Sequence, residues 1–416
     1  MPVSFKGLAF HKTQANILTL TAMLSNEDMN LRPDEHLLHK IFPQSQSTRT
    51  TVLAQTFDNC TFIAHQCGSS EEDVVVRLEI SESSDDSNRF RTIAALQTIA
   101  RLAIPDLVPT IERYGTTTTA DGRNVNFSVT KFIHDTVTLE SVWDDLEEEQ
   151  QVRIVKELLE ATKKLHAIKL SDSTVVQILE GTGFAPPSSE SRAIGGPNTG
   201  YFTDIPGFLG SIIQSHWHSH LSSDSATGNI TIHSEYDDIN PVLIPSDDLQ
   251  HLQDSVVLCH NDLEPRNILV HPKELDNGTT SYFIAAIIDW EMSGFFPFSY
   301  EYVYKDLFLG NSNLYFTWYA LFKEYGAPLV PMSRPPLPTS HALFMEAIEL
   351  IHYSHDRGKQ PMSGQITKKW IAREGVVRQQ PAGRGWLKKD GQPSKRIPEA
   401  EMDKLVDQIL KERARS

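Results

Sequence analysis

A histidine, an aspartate and an asparagine lie close together in the middle of the chain. Asp262 follows His260 by two residues and precedes Asn267 by five, and an apolar run follows Asn267. A carboxylate on a loop can accept the proton of a hydroxyl group. An amide oxygen can bind Mg²⁺, which takes its other ligands from water, carboxylates and phosphates. This spacing is typical of the catalytic loop of a phosphoryl-transfer enzyme.

A second apolar run, residues 284–288, ends at Asp289. An Asn-Gly turn signal that ends at Gly278 separates the two runs, so they are predicted to pair as an antiparallel hairpin. In a hairpin centred on Gly278, Asn267 and Asp289 lie opposite each other, because each is eleven residues from that glycine. Pro272 is expected to end the first strand early, which makes the register approximate. The pairing brings two oxygen ligands for Mg²⁺ to one end of a sheet.

The segment from His260 to Asn267 and the Asp-Trp-Glu motif at Asp289 resemble the aminoglycoside phosphotransferase and choline kinase-like family. Protein kinases have Asp-Phe-Gly at the second place, so the motif points to the small-molecule branch. Ser293, Gly294 and Pro297 also resemble family members, especially those common in fungi. The resemblance covers roughly residues 50–325.

The resemblance implies an α+β fold with two lobes, as in protein kinases. A small N-terminal lobe would hold an antiparallel sheet, and a larger, mainly helical C-terminal lobe would follow. It implies that Asp262 is the catalytic base and that Asn267 and Asp289 hold Mg²⁺, with His260 bracing the loop. ATP, or alternatively GTP, would donate its γ-phosphoryl group to a hydroxyl of a small molecule. Glu291 is a further residue that could face this acceptor.

The predicted elements agree with that plan. Strands are predicted at residues 51–54, 61–64 and 74–78, followed by a helix at 90–102 and a strand at 126–133. We expect residues 1–133 to form the nucleotide-binding lobe with a helical N-terminal extension. Residues 134–353 would form the catalytic and acceptor-binding lobe. Residues 354–416 would be a basic tail with a short amphipathic helix at 399–413.

Two parts of the second lobe have contrasting patterns. Apolar residues at helical spacing over 152–165 predict a long helix with one face in the core. Residues 171–255 are rich in Ser, Pro and Gly and are interpreted as a loop-rich insertion that shapes a substrate pocket. Within it, His216, His218 and His220 alternate as zinc ligands on a strand would. The apolar residues just before them favour a helix, which would scatter the three side chains.

The nucleotide-binding side has weaker signals. Arg77, in the predicted third strand, is the candidate for holding the α- and β-phosphates, although Lys is the commoner residue there in kinases. An edge-strand surface arginine is the other interpretation. Lys131 is a second nucleotide candidate, and a solvent-facing lysine is the alternative for it.

Two departures from the kinase pattern stand out. No glycine lies between Gly7 and Gly68, so the phosphate-covering loop would lack the residue that lets backbone amides approach phosphate. The predicted helix at 90–102 contains no acid, so the ion pair between the third strand and this helix is missing, unless Glu79 or Glu82 replaces it. A catalytically impaired kinase-fold binding or scaffold protein therefore remains an alternative. A protein kinase is disfavoured because no Ala-Pro-Glu element follows Asp289.

Composition sets broader bounds. The chain has 416 residues, 39% hydrophobic and 22% charged, and a net charge of −16. Residues 355–416 carry a charge of +7 from 15 Lys and Arg against 8 Asp and Glu, so the rest carries −23. An acidic body makes nucleic-acid binding unfavourable and suits a cationic small substrate, although solubility alone would also explain it.

Three cysteines without a CxxC pair argue against a structural zinc site and favour a reducing compartment, so the cytoplasm is expected. No segment is apolar enough to span a membrane, and none resembles a signal peptide. Aminoglycosides, choline-like amines, sugars and secondary metabolites all remain open as acceptors, as does the oligomeric state.

Overall fold

The structure is a computed structural model that describes residues 30–44, 48–66, 73–81, 84–182, 193–276, 278–308, 315–330, 333–334 and 337–358. The helix predicted at 399–413 lies outside these residues. The described residues divide into two compact units. The first holds those up to Arg91 together with Ile111–Phe132, and the second holds Thr92–Thr110 and those from Ile133 onward. Within the described ranges, no helix combines the length and apolar character that crossing a membrane requires.

The first unit is built on one antiparallel sheet with the strand order β1-β2-β3-β5-β4. Its strands are β1 (Thr48–Gln55), β2 (Asn59–Gln66), β3 (Val74–Ile80), β4 (Ile111–Thr118) and β5 (Asn124–Lys131). Helix α1 (Glu35–Ile41) precedes the sheet, and helix α2 (Ser84–Ala103) lies between β3 and β4 in the chain. Asp34 caps α1 by accepting a hydrogen bond from the Leu37 amide at 2.8 Å.

Alternation along the strands decides which face of this sheet is buried. Val74, Val76 and Leu78 of β3 are buried in one cluster with Leu37 and Ile41 of α1. The residues between them on β3 are only half-buried. Because successive side chains of a strand point to opposite faces, one face of the sheet is the core and the other carries polar groups.

The strands predicted at 51–54, 61–64, 74–78 and 126–133 are confirmed. Helix α2 begins at Ser84, earlier than predicted. Strand β4 was not predicted; it is an edge strand whose residues are mostly exposed or half-buried. An edge strand with little apolar burial lacks the alternation on which strand prediction depends.

The second unit contains the predicted long helix, α4 (Glu148–Leu165), preceded by β6 (Val137–Thr138) and α3 (Leu139–Val142). One stripe of α4 lies in the main hydrophobic core, and its buried residues are Ile154, Val155, Leu158, Leu159, Ala161, Thr162 and Leu165. Glu148 and Glu149 lie in the first turn of α4, where acids favour the helix dipole.

The segment 171–255 is more regular than predicted. Its elements are α5 (Ser173–Glu180), β7 (Ile194–Gly196), β8 (Gly200–Phe202), α6 (Ile205–Ser215), β9 (Ser219–Ser223), β10 (Ile230–Ser234), β11 (Val242–Ile244) and α7 (Ser246–Asp254). The strands have only three to five residues, which is too short for a periodic signal to be recognised in the sequence. Strands β9, β10 and β11 form a three-stranded sheet in the order β11-β10-β9. Strands β7 and β8 extend a second sheet, whose other strands are β12 (Val256–Cys259) and β15 (Gly294–Pro297), in the order β12-β15-β7-β8.

The remaining elements surround the predicted hairpin. They are β12 (Val256–Cys259), β13 (Ile268–Glu274), β14 (Thr280–Ile287), β15 (Gly294–Pro297), α8 (Phe298–Phe308), α9 (Phe316–Gly326), β16 (Ser333–Arg334), β17 (Leu337–Pro338) and α10 (Ser340–Gly358). Strands β13 and β14 pair antiparallel as predicted. Pro272 does not end β13, since β6 pairs only with Leu269 and Val270 and leaves that edge open at the proline.

Candidate active site

The loop between β12 and β13 carries the His-x-Asp motif and closes with a short 3₁₀ turn, Pro265–Asn267. Pro265 is the first residue of that turn, where a missing N–H and a fixed φ are favourable. Asn261 has a left-handed backbone with φ of 63°, which asparagine tolerates better than most residues. These two residues reverse the chain, so that Asp262 and Asn267 face each other.

Asp262 is held by its neighbours in the loop. Its two carboxylate oxygens accept hydrogen bonds from one Arg266 nitrogen, at 2.7 and 3.0 Å. Oδ2 also accepts a hydrogen bond from Asn267 Nδ2 at 2.7 Å. About a fifth of the side chain (21%) remains exposed. The carboxylate is therefore fixed in orientation but still open to a reactant.

Asn267 is buried, and its amide has a defined orientation. Nδ2 donates to the Asp262 backbone oxygen at 2.9 Å and to Asp262 Oδ2 at 2.7 Å. Both partners are acceptors, so the nitrogen must face them. The amide oxygen then has no hydrogen-bond donor among the described residues, and an oxygen of this kind is a suitable ligand for Mg²⁺.

Asp289 follows the last residue of the hairpin and has a left-handed backbone, with φ of 64° and ψ of 62°. The preceding residue, Ile288, donates its N–H to the Asn267 carbonyl at 2.9 Å. Asn267 therefore lies opposite Ile288 rather than Asp289, one residue from the predicted register, and the pairing shifts between Leu269 and Val270, where Ala285 of β14 has no partner in the register. The hairpin nevertheless brings Asn267 and Asp289 to the same end.

His260 connects the loop to the hairpin. Its Nε2 lies 3.0 Å from the Ile288 carbonyl oxygen, and its Nδ1 lies 3.2 Å from the Asp262 amide nitrogen. A carbonyl only accepts and an amide N–H only donates, so the ring must be the neutral tautomer with its proton on Nε2. Burial lowers the pKa of His260 to about 4. The edge-to-face contact with Trp290, at 4.6 Å between ring centroids, also holds the ring.

Beneath the loop, helix α8 contributes two buried charges that the sequence reasoning missed. Glu301 Oε2 accepts a hydrogen bond from the His260 amide at 3.1 Å. Lys305 Nζ donates to the Leu263 carbonyl at 2.7 Å and to Glu264 Oε1 at 2.6 Å. The pair thus holds the loop at His260, Leu263 and Glu264 from one helix face. One sequence feature could have identified them: they are an acid and a base four residues apart in a helix rich in aromatic residues.

Glu291 is half-buried in the short turn Trp290–Met292 that follows Asp289. The turn is held on two sides. Asn261 Nδ2 donates to the Met292 carbonyl at 3.0 Å, and Asn198, in the β7–β8 turn, lies 2.9 Å from the Met292 sulfur. The β7–β8 turn therefore borders the segment that carries the Asp-Trp-Glu motif.

Arg77 and Lys131, the two nucleotide candidates, lie in the first unit on opposite faces of its sheet. Arg77 pairs with Ser128 across β3 and β5, whereas Lys131 pairs with Val74, a core-facing residue. Directly paired residues of antiparallel strands point to the same face. The structure therefore does not bring Arg77 and Lys131 together.

The three histidines of the predicted zinc alternative diverge. His216 ends α6 and its ring lies against His352 and His355 of α10, with centroids 4.2 and 4.7 Å away. His218 pairs with Glu235, and His220 stacks on His233. Within the described part of the chain, no group of three or more His, Cys, Asp or Glu side chains is arranged to bind a metal.

Comparisons with known proteins bear on the central segment. A model of the phosphotransferase enzyme family, APH, matches residues 50–304, more than half of the chain. No curated protein matches the sequence.

Solved structures with similar folds are distant. The GDP complex of aminoglycoside 2'-phosphotransferase-IIIa has 14% identity and a TM-score of 0.41, over 90% of this chain and 96% of that chain. Amicoumacin kinase hAmiN, in complex with AMP-PNP and Ca²⁺, has 12% identity and a TM-score of 0.39, over 91% and 93%. The macrolide 2'-phosphotransferase MphH from Brachybacterium faecium has 14% identity and a TM-score of 0.34, over 81% and 95%. These similarities are too low to carry an argument.

Proposed function

This chain belongs to the phosphotransferase enzyme family, and we propose that it transfers the γ-phosphoryl group of ATP to a hydroxyl of a small-molecule acceptor. The family assignment confirms the predicted resemblance and the kinase-like α+β fold. The loop geometry around Asp262 carries the proposal, because it is the arrangement that a phosphoryl-transfer site requires and a purely structural loop does not.

Asp262 orients the acceptor hydroxyl and takes its proton. Of its two oxygens, Oδ2 already accepts from both Asn267 and Arg266, whereas Oδ1 accepts only from Arg266. Oδ1 is therefore the oxygen to which we assign the proton. Arg266 and Asn267 fix the orientation of this carboxylate, so the main contribution of Asp262 is positioning.

Asn267 and Asp289 are the residues that would hold Mg²⁺. The Asn267 amide turns its nitrogen to Asp262, which leaves Oδ1 as a ligand, and Asp289 contributes its carboxylate. When bound, Mg²⁺ neutralises charge on the phosphates of the nucleotide. The residues present fit this role, since hard cations prefer oxygen ligands.

Three further residues were candidates for contacts with the nucleotide or the acceptor. Arg77 is proposed to contact the α- and β-phosphates, since it points to the polar face of its sheet. Lys131 is exposed and points to the other face, so a solvent-facing role fits it better. Glu291 is kept as a residue that faces the acceptor, because its turn borders both Asn261 and the β7–β8 turn.

The direct test is the thermal stability of the purified protein with ATP, in the presence and absence of Mg²⁺. We expect ATP to raise the unfolding temperature of the wild type only when Mg²⁺ is present, and Asp289→Ala to lose that effect. ATP consumption in the presence of metabolite extracts then identifies the acceptor, and Asp262→Ala should abolish consumption while leaving nucleotide binding intact. A wild type that ATP and Mg²⁺ do not stabilise would favour the binding or scaffold alternative.

A further inference from the structure

The polar face of the first unit's sheet carries an ordered row of side chains. Arg77 and Glu79 are two residues apart on β3, so both point to this face. Across the neighbouring strands, Asn59 and Asn126 pair with Glu79. Because paired residues share a face, the row brings polar groups from three strands together.

Helix α2 adds a second arginine to this row. Arg89 donates from one guanidinium nitrogen to Glu79 Oε1 at 2.8 Å. The other oxygen of Glu79 lies 3.8 Å from the Arg77 guanidinium. One carboxylate thus lies between two guanidinium groups, and the three side chains are only 21–32% exposed. Their summed charge is positive, which suits an anionic ligand.

The ion pair has the opposite polarity to that of kinases. There, a lysine on the third strand pairs with a glutamate on the following helix. Here the strand supplies the acid, Glu79, and the helix supplies the base, Arg89. The pair connects the same two elements, so the missing acid at residues 90–102 does not mean that the connection is missing.

We infer that Glu79 and Arg89 form a strand-to-helix brace with exchanged charges, which positions Arg77 for the α- and β-phosphates of a nucleoside triphosphate. The inference rests on the proposed function. Arg89 neutralises a carboxylate that would otherwise repel phosphate at this place. Glu79 in turn helps to set the direction of Arg77, since its carboxylate lies 3.8 Å from that guanidinium group.

Asn126 gives independent support for a polar ligand on this face. It is 1% exposed, and neither polar atom of its side chain has a hydrogen-bond partner among the described residues. Buried polar groups without partners are rare in native proteins and require a ligand, a water molecule or an ion to satisfy them. Its place in the row beside Glu79 puts this unsatisfied amide next to the proposed phosphate-binding group.

The test compares binding of ATP and of adenosine, both with Mg²⁺, by isothermal titration calorimetry. We expect Arg89→Gln to weaken ATP binding about tenfold or more and to leave adenosine binding unchanged, because a hydrogen bond to a charged group contributes about 1.5–3 kcal/mol. Arg91→Gln is the matched control, since Arg91 is exposed on the same helix. Arg89→Lys, which keeps the charge, should retain most of the affinity.

The variant Glu79→Gln distinguishes the positioning of Arg77 from a simple effect of local charge on ATP affinity. If the local charge alone governs affinity, removing an acid beside the phosphates should tighten ATP binding. A brace predicts the opposite, about tenfold weaker binding of ATP with adenosine unaffected. The exchange variant, Glu79→Arg with Arg89→Glu, restores the pair in the kinase polarity and should recover ATP binding.

The results of these titrations distinguish failure of the proposed function from failure of the brace. A wild type that binds no ATP overturns the proposed function and this inference together. A wild type that binds ATP, with Arg89→Gln equal to it or Glu79→Gln tighter than it, overturns the brace alone. Equal losses of ATP and adenosine would also overturn the brace, because they indicate general damage to the fold. Unfolding temperatures of all variants show whether such damage has occurred.

Discussion

Asn267 donates both amide hydrogens to Asp262, with Nδ2 lying 2.9 Å from its backbone oxygen and 2.7 Å from Oδ2. The proposed base and a proposed metal ligand are therefore one hydrogen-bonded unit. Substitutions at the two positions remove the same hydrogen bonds, so the loss of kcat in the double variant should be smaller than the sum of the single losses.

Asn267→Asp tests this unit. The substitution offers a metal a stronger ligand, but it removes both donors and places a second carboxylate against that of Asp262. Repulsion should displace Asp262, and we expect kcat to fall by about a hundredfold, as misplacement of a catalytic group can cause. Steady-state kinetics across Mg²⁺ concentrations measure the effect. Near-normal turnover with tighter Mg²⁺ dependence would show that metal ligation is the only role of this side chain.

Asp262→Asn tests the base. The amide has nearly the shape of the carboxylate, and its single oxygen can still accept hydrogen bonds from Asn267 and Arg266. Its NH2 group can accept neither the second bond from Arg266 nor a proton. We expect kcat to fall by about 10²–10⁴-fold. The stabilisation by ATP and Mg²⁺ should equal that of the wild type, because Asp262 is not among the proposed metal ligands. A variant that keeps a tenth of the activity would remove Asp262 from the catalytic role.

Glu301→Gln tests the buried support under the loop. Burial raises the pKa of Glu301 from its ordinary value of 4.5 to about 7. A raised pKa of an acid gives stability that is present below pH 4.5 and is lost as the pH rises to about 7. The glutamine variant is neutral throughout, so its stability relative to wild type should increase over that range, by at most about 3 kcal/mol.

Urea unfolding at pH 4.5, 6 and 8 measures this difference. Glu149→Gln is the control, since Glu149 is exposed on α4 and should show no such trend. If the stability difference between Glu301→Gln and wild type stayed constant with pH, Glu301 would be ionised throughout this range.

More of the candidate site than of the structure around it could be predicted from the sequence. His260, Asp262 and Asn267 are adjacent in the chain, and one hairpin connects them to Asp289, so local pairing rules were sufficient to place them. The register was one residue off because Glu274 pairs with Thr280, which centres the hairpin one residue before Gly278. The shift between Leu269 and Val270 offsets only part of that displacement, and neither feature can be seen in the apolar pattern. Glu301 and Lys305 were missed because they reach the loop from about forty residues away, as the hydrogen bond of Lys305 to Leu263 shows.

The brace of Glu79 with Arg89 shows another limit. The kinase polarity requires an acid in the helix, and the predicted helix at 90–102 contains none, so Glu79 remained only a possible substitute. Only the three-dimensional distance between Glu79 and Arg89 reveals a base in place of the acid. Residue type alone does not show which partner of an ion pair each element supplies.

His352→Phe tests the histidine cluster between α6 and α10. Burial, with the neighbouring His216 and His355, lowers the pKa of His352 to about 3, and its Nε2 has no hydrogen-bond partner among the described residues. A lowered pKa of a base means that stability is lost as the pH falls below its ordinary value of 6.5. Between pH 8 and pH 5 the wild type should therefore lose about 1–2 kcal/mol of stability relative to the variant.

Thermal unfolding at the two pH values measures the effect. His36→Gln is the control, because His36 is exposed on α1. If wild type and His352→Phe lost the same stability at low pH, other groups would be responsible for that loss. Buried His260 is the next candidate.

Gly195→Ala tests whether the β7–β8 turn supports the Asp-Trp-Glu segment. Gly195 has φ of +128°, and a Cβ there would lie 1.9 Å from the Gly200 carbonyl oxygen, a backbone atom that cannot move away cheaply. We expect a loss of about 2 kcal/mol or more in the free energy of unfolding and a marked fall in kcat, since β7 pairs with β15 directly after the segment.

Gly210→Ala is the matched control, because Gly210 lies in α6 with open space around it. This variant should gain about 0.5–1 kcal/mol in the free energy of unfolding. Chemical denaturation of both variants measures the free energy of unfolding, and steady-state kinetics measure kcat. An active, stable Gly195→Ala would mean that the turn does not position the site.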